Sequence, residues 1–281
     1  MLITLIQSPY DSGQYGLRMG RGPLHLVARG VSDWLRIRGH DVDLIPIRLP
    51  DGFATEVESA IAIQRKISIL AASACGEGRL PLLLAGNCNA SLGLLAGVGS
   101  KDTGLVWFDA HGDFNTPETT LSGYFDGMGL AMIAGLCWRS LAASIPGFSP
   151  LEARDIVLVG AHDLDPGETN LMDQHGVRRF GADELRLDGV EATLRQVFYP
   201  INHHLSRLVV HIDLDVLDRE EARVNQYSSV GGLTVKETVA ILEWLSGRFQ
   251  IAGLALSSYN PDIDEGDRAL MAAQKILAST L

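Results

Sequence analysis

The sequence predicts an α/β fold, a mostly parallel sheet with helices on both faces. Three observations lead there. Short apolar runs alternate with longer amphipathic segments from one end of the chain to the other. Most of those runs are continuous Val, Ile and Leu, as strands buried on both faces require. Several of them end in Gly, Asn or Asp, residues that turn a chain or cap the next helix.

In chain order, strands are predicted over 2–7, 42–46, 81–85, 103–109, 155–160, 178–181, 206–214 and 253–258. Helices are predicted over 23–38, 55–75, 90–98, 127–145, 166–175, 189–198, 234–248 and 267–278. Residues 1–8 lack a basic leading region and read as a first strand rather than a signal peptide. The longest apolar stretch, 128–138, falls short of the roughly 20 residues that span a bilayer. No Ser/Gly/Pro linker, repeat or low-complexity tract interrupts the alternation, so residues 1–281 read as a single domain.

Composition narrows the function. Hydrophobic residues make up 46% and charged residues 20% of the 281, which is globular usage rather than disorder. Lys and Arg number 23 against 34 Asp and Glu, a formal net charge of −11. An acidic chain without a basic patch repels phosphate backbones, which excludes nucleic acid as the expected partner. Three cysteines, Cys75, Cys88 and Cys137, cannot all pair and fit a reducing, cytoplasmic compartment.

The chemistry lies at predicted strand ends. Asp109-Ala110-His111-Gly112-Asp113 follows the apolar run 104–108. Residues two apart in an extended chain point the same way, so Asp109, His111 and Asp113 converge if the backbone stays extended. Asp213 and Asp215 close a second strand. Four carboxylates gathered at strand ends repel unless cations neutralise them, and oxygen-rich ligation with one imidazole suits manganese or magnesium better than structural zinc.

These residues carry a family resemblance. The stretch from Asp109 through Asn115, Thr120, Ser122 and Gly123 resembles the central signature of the arginase (ureohydrolase) family. The run His211-Ile212-Asp213-Leu214-Asp215-Val216-Leu217-Asp218 is similar to that family's second metal motif. Residues 160–168, 230–233 and Asn260-Pro261 fall in the family's order, as does the opening from Ser8-Pro9 to Gly22-Pro23. The resemblance implies a three-layer α/β/α fold and two manganese ions with a hydroxide between them that attacks a guanidine carbon. It implies Asp109 and Asp213 as bridging ligands, Asp113 on one ion, and His111 and Asp215 on the other. Asp113 would also take up and pass on the proton.

Three departures follow. Where the family places a His ligand stands Cys88, in Gly86-Asn87-Cys88-Asn89. As a thiolate it would bind metal and pull preference toward softer ions. Cys88 and the four aspartates would then set five negative charges against the four of two divalent cations. A family His that shuttles protons is matched by Asp126, which at its unperturbed pKa is ionised near neutrality and a poor proton donor there. The family's guanidinium-binding Glu is matched by Ser258, which removes the natural partner of a cation. The segment 218–227 also lacks the family's Pro/Gly-rich active-site loop. His211 reads as a residue behind the ligands rather than one of them.

The amino-acid-recognition positions survive. By resemblance Asn115, Thr120 and Ser122 hold a substrate α-carboxylate, and Asp165 with Asp163 holds the α-amine. Retained α-amino-acid contacts with altered guanidine contacts point to Nω-hydroxy-L-arginine, whose hydroxyl lowers the basicity of the group. The chain is most similar in these features to the family's Nω-hydroxy-L-arginine amidinohydrolases of antibiotic biosynthesis, which release hydroxyurea and ornithine. Ordinary arginine hydrolysis, formiminoglutamate hydrolysis and a non-catalytic binding protein are the alternatives. A small-molecule amino acid is the expected partner, and the short tail after the last helix suggests a monomer or weak homo-oligomer. His203 and His204 read as solvated.

Overall fold

The computed structural model describes residues 1–50, 53–201 and 204–281. The strands are β1 (Leu2–Ser8), β2 (Tyr10–Asp11), β3 (Gln14–Tyr15), β4 (Asp41–Pro46), β5 (Leu80–Ala85), β6 (Thr103–Phe108), β7 (Ile156–Val159), β8 (Arg178–Phe180), β9 (Arg207–Asp213) and β10 (Gln250–Ser257). The helices are α1 (Arg21–Ala28), α2 (Val31–Ile37), α3 (Glu56–Gly76), α4 (Ser91–Val98), α5 (Gly129–Ile133), α6 (Arg139–Ala142), α7 (Pro166–His175), α8 (Ala182–Asp188), α9 (Val190–Phe198), α10 (Val235–Ser246) and α11 (Arg268–Thr280). His203 lies outside the described residues; His204 is exposed, its Nε2 2.7 Å from Asp155 Oδ1.

Eight strands form one sheet in the order β4-β1-β5-β10-β9-β6-β7-β8, every neighbouring pair parallel. All eight predicted strands are in it. Only the two-residue hairpin β2–β3, paired antiparallel, was not expected. Successive strand residues feed opposite apolar layers, as the period of two demands. Val106, Val210 and Leu254 join the layer under α1, α2, α10 and α11, while Leu105, Trp107, Val209 and Ala255 join the layer under α3, α4 and α5. A sheet covered on both faces is why the strands read as unbroken apolar runs.

Two predicted helices are broken. The 23–38 segment divides into α1 and α2 at Gly30, whose φ of 81° lies in the left-handed region. The 127–145 segment breaks into α5 and α6, with Gly135 at φ 72° and Trp138 at φ 49° between them. Apolar spacing continued across both breaks, and backbone reversal does not interrupt that pattern. Helix α8 precedes the predicted 189–198 helix and was not anticipated. Elsewhere the ends follow local chemistry: Thr55 Oγ1 accepts from Glu58 N at the start of α3, and Thr234 and Glu237 close a reciprocal cap on α10. Among the described residues, no helix is long and apolar enough to cross a membrane.

The strand order is what builds the site. β5, β10, β9 and β6 are consecutive neighbours, and ligand sites in such sheets form beyond the carboxyl ends of the strands. The loop leaving β5 is held close by Gly86, where a Cβ would lie 2.2 Å from the Tyr10 carbonyl oxygen and 2.8 Å from Gly20 N. Gly86→Ala is expected to lower stability by about 1–3 kcal/mol in denaturant unfolding, because backbone rather than a flexible side chain must move. A loss below a few tenths would show that the loop has room.

Candidate metal and substrate site

Beyond the four central strands lies a cleft of about 320 Å³. Every residue the sequence assigns a metal, catalytic or substrate role lines it except Asp109, which is 1% exposed and lies behind the wall. Cys88 comes from the turn after β5, Asp109, His111 and Asp113 from the loop after β6, Asp213 and Asp215 from the end of β9, and Ser258 from the residue after β10.

The expected extended backbone through Asp113 does not hold. β6 ends at Phe108, and Asp113 takes φ 49°, with its carbonyl accepting from Leu130 N at 2.9 Å and Ala131 N at 3.2 Å. The turn still delivers its side chain to the cleft, because helix α5 anchors the carbonyl on the other side. Asp109 is fixed from two directions: Trp107 Nε1 donates to Oδ2 at 3.1 Å, and His111 N donates to Oδ1 at 2.8 Å. Trp107 thus orients a carboxylate as well as packing. Asp215 N donates to Asp213 Oδ1 at 2.7 Å, and His111 Nδ1 lies 3.2 Å from Asp109 and 3.6 Å from Asp215. Cys88 Sγ donates to Asp213 Oδ2 at 2.8 Å and lies 3.1 Å from Ser258 Oγ and 3.3 Å from Ser257 Oγ.

Asp109, Asp113, Asp213 and Asp215 are all at most 8% exposed. Burial, reinforced by Asp215, pushes Asp109 up to about 6, and burial raises Asp113 and Asp213 well above the ordinary carboxylate range. Asp215 moves the other way, to about 2: burial opposes ionisation, but the neighbouring His111 overcomes it. His111 is raised, since Asp215 and Asp109 outweigh the burial that would lower it. Oδ2 of Asp113 is buried without a hydrogen-bond partner among the described residues. Buried acids that hold protons beside an orphaned carboxylate oxygen are what a cation-binding cluster becomes without its cations. The residues therefore fit divalent metal ions. Donor atoms of Asp109, His111 and Asp215 lie within 4.8 Å of one another, and so do those of Cys88, Asp109 and His211. Asp109 belongs to both groups.

Asp126 has a task that its sequence position did not reveal. Its Oδ2 accepts from Asn87 Nδ2 at 2.8 Å and Cys88 N at 3.1 Å, and its Oδ1 accepts from Asn89 N at 2.7 Å. These three bonds hold the Cys88 turn against the cleft. Burial, opposed by those bonds, brings its pKa up to about 7, so the unperturbed value does not describe it.

The far wall carries the residues expected from the sequence to recognise the amino-acid substrate. Asn115 Nδ2 donates to Asp165 Oδ2 at 3.0 Å and Glu168 Oε2 at 3.3 Å, while Thr119 Oγ1 donates to its Oδ1 at 3.0 Å. Asp165 caps α7, with Glu168 Oε1 accepting from its N–H at 2.9 Å. Thr120 Oγ1 accepts from Gly123 N, and exposed Ser122 Oγ accepts from Tyr124 N. Asp163 is exposed, its N–H donating to the Ala110 carbonyl. Glu168 and Asn225 were missed in the sequence. Buried Asn225 donates to Asp215 Oδ2 at 3.2 Å and to the Ser258 carbonyl at 2.9 Å, joining two strand ends. Its one signal was a place in the segment lacking the Pro/Gly-rich loop. Tyr124 and Tyr227, ring centroids 6.2 Å apart, stand in the cleft wall with Met19.

Comparison with known proteins follows the same lines. The sequence model of the Arginase family matches residues 3–281. An arginase of Bacillus caldovelox is 30% identical over 290 residues, covering 99% of this chain and 97% of that protein. An arginase of Bacillus subtilis (strain 168) is 30% identical over 295 residues, with 99% and 97% covered. The crystal structure of arginase from Bacillus cereus superposes with a TM-score of 0.91 at 27% identity, covering 100% of this chain and 98% of that one.

The carboxyl shifts determine how the metal-free protein responds to pH. Asp109 and Asp126 titrate at about 6 and about 7 when folded, above the ordinary 3.8. Between those values the folded state holds more protons than the unfolded one, so stability is lost as pH rises. The thermal midpoint of the metal-free chain is expected to fall from about pH 5 to about pH 7.5, and added divalent cation to restore it at the upper end. A midpoint that rises over that range without metal would contradict the reading.

Proposed function

The chain belongs to the arginase family, and from that premise we propose that this amidinohydrolase cleaves the guanidine group of Nω-hydroxy-L-arginine to hydroxyurea and L-ornithine. The observation that carries the substrate is at the floor of the cleft. Ser258, 2% exposed, presents a neutral hydroxyl 3.1 Å from Cys88 Sγ at the position where the family pattern has a carboxylate. A guanidinium loses its partner there, whereas a hydroxyguanidine, less basic and more often neutral, does not need one.

Two divalent ions, manganese by the family resemblance, would neutralise the buried carboxylates and acidify a water into a nucleophile near neutral pH. Cys88, Asp109, His111, Asp113, Asp213 and Asp215 are assigned to hold them. Asp113, whose Oδ2 is free of other bonds, accepts the proton released from water and returns it to the leaving amine. Asp126 keeps the Cys88 turn in place and, with a pKa brought up to about 7, is also assigned to exchange protons at the cleft wall. Thr120 and Ser122 supply hydroxyls to the α-carboxylate beside Asn115, whose amide aligns Asp165. Asp165 and Asp163 take the α-amine. These contacts orient an α-amino acid with its far end toward Ser258.

Hydrolysis of L-arginine to urea and ornithine is the second reading, favoured by the names of the three similar proteins described above, each an arginase. Steady-state kinetics separate the two. The specificity constant kcat/KM is expected to be at least about tenfold higher for Nω-hydroxy-L-arginine than for L-arginine, the scale of one altered polar contact. Equal values, or a preference for arginine, would overturn the substrate assignment. Chelation of metal should abolish both activities.

A further inference from the structure

We propose that His211 is a metal ligand, supplying to the thiolate side of the site the imidazole that the family pattern has at position 88. The inference rests on the dinuclear reading above and adds a residue to it. His211 lies on β9, two residues before Asp213, and is 0% exposed. Its ring is clamped: Nδ1 lies 2.7 Å from Ser91 Oγ on α4, and the ring stacks on Trp107 with centroids 3.6 Å apart and planes 27° apart. Nε2 is buried with no hydrogen-bond partner among the described residues.

A buried imidazole nitrogen without a partner is rare, because both ring nitrogens normally find one. Hydrogen bonding to the thiol does not resolve it, since Cys88 Sγ already faces Asp213, Ser257 and Ser258 and no contact to Nε2 occurs. Metal ligation does. The donor atoms of Cys88, Asp109 and His211 lie within 4.8 Å of one another. Bonds of about 2.0–2.3 Å to a single ion place its ligands roughly 3.3–4.6 Å apart, so one ion fits among them with little adjustment. The Ser91 contact completes the arrangement. A metal-binding imidazole carries its proton on the other nitrogen and donates it to a fixed acceptor, which sets the tautomer.

The consequence is two unlike positions. Asp109, His111 and Asp215 form a harder set, whereas Cys88, Asp109 and His211 combine thiolate, imidazole and carboxylate and favour softer ions such as zinc, cobalt or iron. The shorter cysteine does not leave this position short of nitrogen, because the neighbouring strand provides it.

The test uses the full chain, stripped of metal and titrated with Co²⁺ while thiolate-to-cobalt absorption and bound cobalt are followed. The unaltered protein should take up two ions and show the thiolate band. In His211→Ala the ion on the thiolate side should bind more than about 100-fold more weakly, beyond the usual effect of losing a residue behind a ligand, while the other changes little. Retention of both ions and of the band within about threefold would overturn the proposal. Removing a ring stacked on Trp107 risks the fold, so proton NMR of the unaltered dicobalt protein provides an independent reading. Two far-shifted, solvent-exchangeable imidazole N–H signals are expected, from His111 and His211, and a single one overturns the proposal. Uptake of two ions with one such signal defeats this inference alone, whereas failure of the unaltered chain to bind cobalt defeats the dinuclear reading as well.

Discussion

The structure depends on the repulsion among carboxylates placed together and kept dry. Asp109, Asp113, Asp213 and Asp215 reach one end of the sheet with almost no access to water. Without a counter-charge three of them take up protons, and only Asp215, facing His111, stays ionised well into acid. Such an arrangement costs the fold stability, which bound divalent cations would return. Part of the net charge of −11 is therefore committed to this site rather than spread over a solvated surface.

The scaffold holds that cluster by making each acid part of a longer chain of contacts. Trp107 and the His111 amide hold Asp109, Asn225 ties Asp215 to the Ser258 carbonyl, and Asp126 gathers the amides of the Cys88 turn. The links of Asn225 and Asp126 join loops from different strands. The site is thereby cross-linked at the carboxylate cluster, whereas Tyr227 in the cleft wall is 44% exposed.

Division of labour along the cleft follows from the same layout. One wall, from Asn115 to Asp165, carries the polar groups proposed to hold an amino acid and is anchored through Glu168 and the cap of α7. The opposite end offers sulfur and hydroxyls, Cys88 with Ser257 and Ser258, in place of a carboxylate that would face a cation.

The eight sheet strands were legible because buried strands write an unbroken apolar pattern, and the ligand motifs were legible because residues two apart share a face. Even there the local rule was only partly right, since Asp113 reaches the cleft from a left-handed turn rather than an extended run. The breaks at Gly30 and Trp138 were hidden, because apolar spacing continues across a reversal. By itself, then, the sequence determined the eight sheet strands, the residue types of the candidate site and the family pattern. The tertiary structure alone decided that β5, β10, β9 and β6 lie side by side, and with that the role of Asp126, the bonds of Asn225 and the free nitrogen of His211. The reason is physical: periodicity and capping act over a few residues, whereas these contacts join positions from 10 to 120 apart that only the strand order makes neighbours.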